Sequence, residues 1–172
     1  MTASKPQSIA LGVGTYVVLS LATSFLYFNG GTAMASLSGA LACVVMLTAP
    51  VVAVWHYAST NALTVPPGPG AGMGAIAATI GAVLATLIQW GLQQAGVFPS
   101  TDEMLGRQRD QMIEQGMSPE EVDGMMDVIG GMSESLVNQI GSAALMGLVV
   151  GAIAGAIAAV VFKKGPDAEA VL

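Results

Sequence analysis

No aspartate, glutamate, lysine or arginine occurs between Pro6 and Thr101, which is more than half of this 172-residue chain. None occurs between Ser135 and Phe162 either. A water-soluble domain normally has about a quarter of its residues charged; here the share is 9 %. An ordinary soluble fold cannot be solvated on that little charge. Five basic residues against eleven acids also exclude a basic face, and with it nucleic-acid binding. The single cysteine, Cys43, allows no intrachain disulfide. The single histidine, His56, stands without a serine and acid at any spacing that suggests a nucleophile set, so no catalytic residue and no enzyme activity is expected. Charge inside a span is the usual mark of a proton or ion pathway, and these apolar stretches have none.

What the chain has instead is small and apolar residues: 53 % hydrophobic, 22 glycines, and a mean hydropathy of +0.69. The hydrocarbon core of a bilayer is about 30 Å thick and a helix rises about 1.5 Å per residue, so about 20 apolar residues cross it. Four stretches qualify: Ile9 to Phe28, Ala33 to Trp55, Ala71 to Trp90 and Gln139 to Phe162. Asn29-Gly30-Gly31 reads as the turn after the first. Pro66-Pro67-Gly68-Pro69-Gly70 reads as a breaker before the third. Tyr27, Phe28, Trp55, Tyr57, Trp90, Phe98 and Phe162 sit at the ends, where amphipathic rings favour the interface. The expected fold is an all-α integral membrane protein: four transmembrane helices in one domain over 1–172, with a helical hairpin, 93–138, inserted between the third and fourth.

Lys5 precedes the first span and Lys163-Lys164 follow the fourth. The positive-inside bias places both termini in the cytoplasm, in a multi-pass arrangement in the cytoplasmic (inner) membrane, with 93–138 outside. An alternative is a cleaved signal peptide ending at Ala33-Met34-Ala35, although an apolar run near 20 residues exceeds the usual h-region of about 7–15.

Nine of the eleven acids fall between Asp102 and Glu134, opposed only by Arg107 and Arg109. Two capping boxes organise this acidic segment. Ser100 with Glu103 starts a helix from Thr101 to Gln115, which Gly116 ends; Ser118 with Glu121 starts a second, with Pro119 in its first turn. Val122, Met125, Met126, Ile129 and Met132 recur at steps of three and four, so that helix has an apolar face. It is expected to run into the fourth span, with a break at Gly130-Gly131.

The run Gln115-Gly116-Met117-Ser118-Pro119-Glu120-Glu121-Val122 lies after Pro99 and before a Gly/Ala-rich last span ending in Lys163-Lys164. In this it resembles the uncharacterised bacterial membrane family called domain of unknown function 4199. The resemblance implies four spans with a helical insert between the last two, and a membrane location. It implies no activity. The Ala/Gly richness and the Pro-Pro-Gly-Pro-Gly loop depart from the family's common pattern.

Ala143, Gly147, Gly151, Gly155 and Ala159 form a small-residue stripe along the fourth span, and Gly70, Gly74, Ala78 and Ala82 another on the third. Such stripes let helix backbones approach closely in lipid. Gly147, Gly151 and Gly155 are therefore the candidate helix-packing interface, within the bundle or against another chain. Six methionines in the hairpin, Met104, Met112, Met117, Met125, Met126 and Met132, offer either an adaptable apolar face or soft ligands for Cu(I). His56 offers either an interfacial polar group or a haem-type ligand. Neither has companion ligands, and no metal or cofactor is expected.

The favoured reading is a structural or accessory membrane protein. Its partners are the lipid bilayer and other membrane subunits or itself. A small oligomeric transporter or channel, with a path along Thr15, Ser20, Thr23, Thr79 and Thr86, is the first alternative. A metal- or cofactor-carrying membrane protein is the second.

Overall fold

The computed structural model describes residues 3–29, 31–133 and 135–165. Six α-helices follow in order: α1 (Lys5–Asn29), α2 (Gly31–Asn61), α3 (Pro67–Gln94), α4 (Thr101–Glu114), α5 (Pro119–Ser133) and α6 (Leu136–Val161). Four stretches are long and apolar enough to cross a membrane: Lys5–Phe28, Ala40–Asn61, Pro67–Gln94 and Leu136–Val161. The chain is an all-α membrane protein with a helical pair between the third and fourth spans.

Several boundaries differ from those read off the sequence. Pro66-Pro67-Gly68-Pro69-Gly70 does not precede the third helix as a breaker; Pro67 to Gly70 are its first turn. The first backbone N–H groups of a helix have no intrahelical acceptor, so a proline there removes nothing. Gly70 N donates to Pro66 O at 3.0 Å and so begins the ladder. The second helix ends later than expected, at Asn61, because α2 continues past His56 through the polar residues that follow. It also continues through Pro50, which is fully buried. Helix α5 passes through Gly130-Gly131 without a break and ends at Ser133. The turn expected at Asn29-Gly30-Gly31 is narrower, since α1 includes Asn29 and α2 begins at Gly31; Gly30 lies outside the described residues.

Two compact units are present. The first comprises 1–85 and 143–172 and holds α1, α2 and the adjoining parts of α3 and α6. Its interior is built almost wholly of small residues. Ala49, Ala53, Ala77 and Ala78 form one buried cluster; Val54, Ala58, Val65, Met73, Ala158 and Ala159 form another. The large aliphatics point out: on α6, Leu145, Leu148, Ile153 and Ile157 are each more than half exposed, while Gly147, Gly151, Ala154, Gly155 and Ala158 are buried. A soluble domain arranges these classes the other way. The inversion follows from a solvent as apolar as leucine, in which close backbone contact, not exclusion of side chains from water, drives helices together.

The second unit, 86–142, holds the capped helical pair. Ser100 Oγ accepts from Glu103 N at 3.3 Å while Glu103 Oε2 accepts from Ser100 N at 3.1 Å. Ser118 and Glu121 repeat the exchange at 3.4 and 3.2 Å. Gly116, at φ +92°, takes the left-handed position after α4, with Met117 N donating to Met112 O at 3.2 Å. Arg109 Nε then bridges to Asp123 Oδ1 at 2.8 Å, joining α4 to α5 over the fully buried Val122.

The second cap is directly testable. The hydrogen bonds from Ser118 hold the Glu121 carboxyl below the usual glutamate range. Their contribution is present above the unfolded pKa and is lost as pH falls through the lowered one. Removing a serine cap costs about 1 kcal/mol. In Ser118→Ala, amide exchange at 120–122 is expected to accelerate about fivefold, with the acid-side sensitivity of that turn reduced. Unchanged protection in the variant would show that the cap does not hold this helix.

Candidate functional site, a glycine seam and its polar surroundings

The three candidate interface glycines lie on α6 opposite α3, within the first unit. A Cβ added at Gly151 would stand 2.6 Å from Ala78 Cβ and 2.6 Å from Gly74 O. At Gly147 it would stand 2.8 Å from Thr79 Cα, and at Gly155 2.9 Å from Gly74 Cα, with Gly70 O closer still. From the other side, a Cβ on Gly70 would meet Ala159 Cβ at 2.5 Å, and one on Gly74 would meet Gly155 Cα at 2.7 Å. Most of these neighbours are backbone atoms, which cannot rotate away. The two stripes therefore face each other over two helical turns, and the glycines are filled by their own chain. Along this seam the α6 stripe leaves no open groove for a second protein.

A second close approach joins α1 to α2. A Cβ on Gly12 would clash with Ala49 O and lie 3.1 Å from Ala53 Cβ. Gly14, two residues on, has nothing within 4 Å. Tyr16 of α1 lies over Gly81 of α3, where a Cβ would sit 3.0 Å from the ring.

Some polar groups in this unit tie together distant parts of the chain. Ser8 is the one fully buried polar residue among the described residues. Its Oγ lies 3.2 Å from Ser4 O and 3.0 Å from His56 Nδ1. A hydroxyl has one proton, so both contacts are satisfied together only when Ser8 donates to Ser4 O and His56 Nδ1–H donates to Ser8. His56 thus serves as a cross-link between α1 and α2. One turn on, Asn61 holds residue 3 through both backbone groups, accepting from Ala3 N at 3.0 Å and donating to Ala3 O at 2.9 Å. Neither pairing is legible in the sequence, because partners 48 and 58 residues apart carry no shared motif.

Of the hydroxyls suggested as a channel lining, two bond within their own helices. Thr15 Oγ1 donates to Leu11 O at 2.9 Å and Thr23 Oγ1 to Leu19 O at 2.8 Å, each within its own helix. Thr79 Oγ1 is buried at the seam and has no partner in the structure. In the second unit, Met104, Met112, Met117 and Met126 are half-buried and Met125 is exposed; the side chain of Met132 lies outside the described residues. Among the described residues no three of His, Cys, Asp or Glu converge as a metal site. Cys43 is exposed on α2.

No curated protein and no solved structure matches the chain. The four apolar helices, the two-helix insert between the third and fourth, and the match over residues 8–164 agree: the chain belongs to the family described as Protein of unknown function (DUF4199).

Proposed function

We propose that this protein is a structural or accessory subunit of the bacterial cytoplasmic membrane, without catalysis of its own, that packs with other membrane subunits or a second copy. The observation that carries this reading is the surface of α5. On it Val122 is fully buried, while Met125 and Val128 are 46 % and 65 % exposed. The same helix exposes four carboxylates, Glu120, Glu121, Asp123 and Asp127. Arg109, one of only two cations in the segment, is already paired with Asp123. An apolar strip inside a net negative rim suits a partner with a basic rim around an apolar centre. Lys5, Lys163 and Lys164 favour cytoplasmic termini with 93–138 on the outer side.

Two measurements test the proposal. With Cys43 replaced by alanine, cysteines at Ser4 and Ala168 are expected to resist an impermeant thiol reagent in intact cells, and one at Ser100 to react. Labelling of either terminus with protection of position 100 would reverse the topology. In mild detergent, a stoichiometric partner or second copy is expected to co-purify and to be lost in Met125→Lys/Val128→Lys. A monomer in both proteins, with no cross-link in intact membranes, would overturn the accessory role.

A further inference from the structure

The connection between α2 and α3 meets the end of α6 in a built corner of the first unit. Ala62 ends α2 in the left-handed conformation, φ +51°, with Leu63 N donating to Ala58 O at 3.1 Å. A non-glycine residue there is costly, so the neighbouring structure must hold it. Thr64 Oγ1 donates to Gly165 O at 2.6 Å and accepts from Gly165 N at 3.5 Å, which holds Gly165 against the connection. Gly165 lies so close to Ala62 O that no side chain fits. Beside this clasp lies an open cavity of about 260 Å³, lined by Thr64, Val65, Pro66, Pro67, Ala159, Val160 and Lys163.

The lining has two characters. Val160 is 52 % exposed on the lipid-facing side of α6, so the cavity is continuous with the surface that acyl chains cover. Lys163, an exposed cation, is also among its lining residues and makes no ion pair among the described residues. Pro67 opens α3, so the positive end of that helix dipole points the same way. All of this lies at the ends of two spans, where headgroups sit. A cationic, apolar-backed pocket between spans at that depth selects an anionic headgroup.

We propose that this cavity binds an anionic glycerophospholipid, its phosphate at Lys163 and its acyl chains along Val160. The ligand chemistry is a phosphate ester, and its source is the bilayer. Thr64 lines the cavity too, with its hydroxyl engaged by Gly165.

The full chain in non-ionic detergent, titrated with phosphatidylglycerol or phosphatidylcholine and read by native mass spectrometry, tests this. Phosphatidylglycerol is expected to bind about tenfold more tightly, because the choline cation of phosphatidylcholine offsets the phosphate charge that Lys163 would attract and phosphatidylglycerol has no such cation. Lys163→Gln should lose that preference. Lys164→Gln, which removes the same charge outside the cavity, should change it less than about threefold. Val160→Phe should weaken binding by filling the cavity while the lipid-free melting temperature stays unchanged. Equal binding of the two lipids, or equal losses in Lys163→Gln and Lys164→Gln, would overturn the site. Displacement of the lipid by millimolar inorganic phosphate would show a site for soluble phosphate and overturn the lipid assignment.

Discussion

Gly151→Ile is expected to unfold the first unit or lower its melting temperature by roughly 6–12 °C. The estimate takes about 3 kcal/mol for overpacking and about 2–4 °C per kcal/mol for a chain of this size. The reason is geometric. A Cβ alone would lie 2.6 Å from both Ala78 Cβ and Gly74 O, and 3.0 Å from Ala75 Cα. Two of those three atoms are backbone, so relief requires α3 and α6 to separate. Separation would also open the contacts at Gly147 and Gly155, because the three lie on one face of one helix. Ile153→Leu is the control. Ile153 is 58 % exposed on the opposite face, and the change conserves volume. A Gly151→Ile protein that melts like wild type would mean that α6 does not pack on α3 through this face. The accessory-protein proposal would then regain the stripe as a candidate outer surface.

Gly12→Ile and Gly14→Ile should diverge sharply although they are two residues apart on one helix. Gly12 faces Ala49 and Ala53, and its added carbon would clash with the Ala49 carbonyl. Gly14 opens into space. Helix α1 is the least embedded of the four spans, with 6 % of its apolar window buried, against 44 % for α3. It is held chiefly along α2, with Ile9 and Tyr16 packed on the buried clusters and Ser8 cross-linked to His56. Losing the Gly12 approach should release α1 from α2 and expose its inner face to protease in detergent. At Gly14 the same substitution exchanges a poor helix former for a better one, an effect of about 0.5 kcal/mol or less. Thermal melts with limited proteolysis of both variants check this. Equal behaviour of the pair would mean that α1 is held by lipid and not by α2.

Much of the architecture was legible because a bilayer leaves few options. With no water to satisfy backbone groups, a charge-free stretch near 20 residues must be a helix. Four such stretches therefore meant four spans before any contact was known. Caps were equally legible, since Ser100 with Glu103 and Ser118 with Glu121 act over three residues of one strand of chain. The start of α3 was misread for a related reason. Proline and glycine mark a breaker by propensity, yet in a first turn proline lacks only a hydrogen bond that no residue there can make.

What the sequence by itself determined is thus everything set by local chemistry and by the solvent: helix number, the acidic insert, the capped turns and the small-residue stripes. The stripes did not name their partners. Gly147, Gly151 and Gly155 could have served another protein equally well, and Gly12 and Gly14 are the same residue in nearly the same setting. Only the tertiary structure decided that α3 faces α6, that His56 meets Ser8, and that Thr64 clasps Gly165 beside a cavity lined by Lys163. The physical reason is that glycine has no side chain to advertise a contact: its role is the space it leaves, and that space has meaning only once a second backbone occupies it.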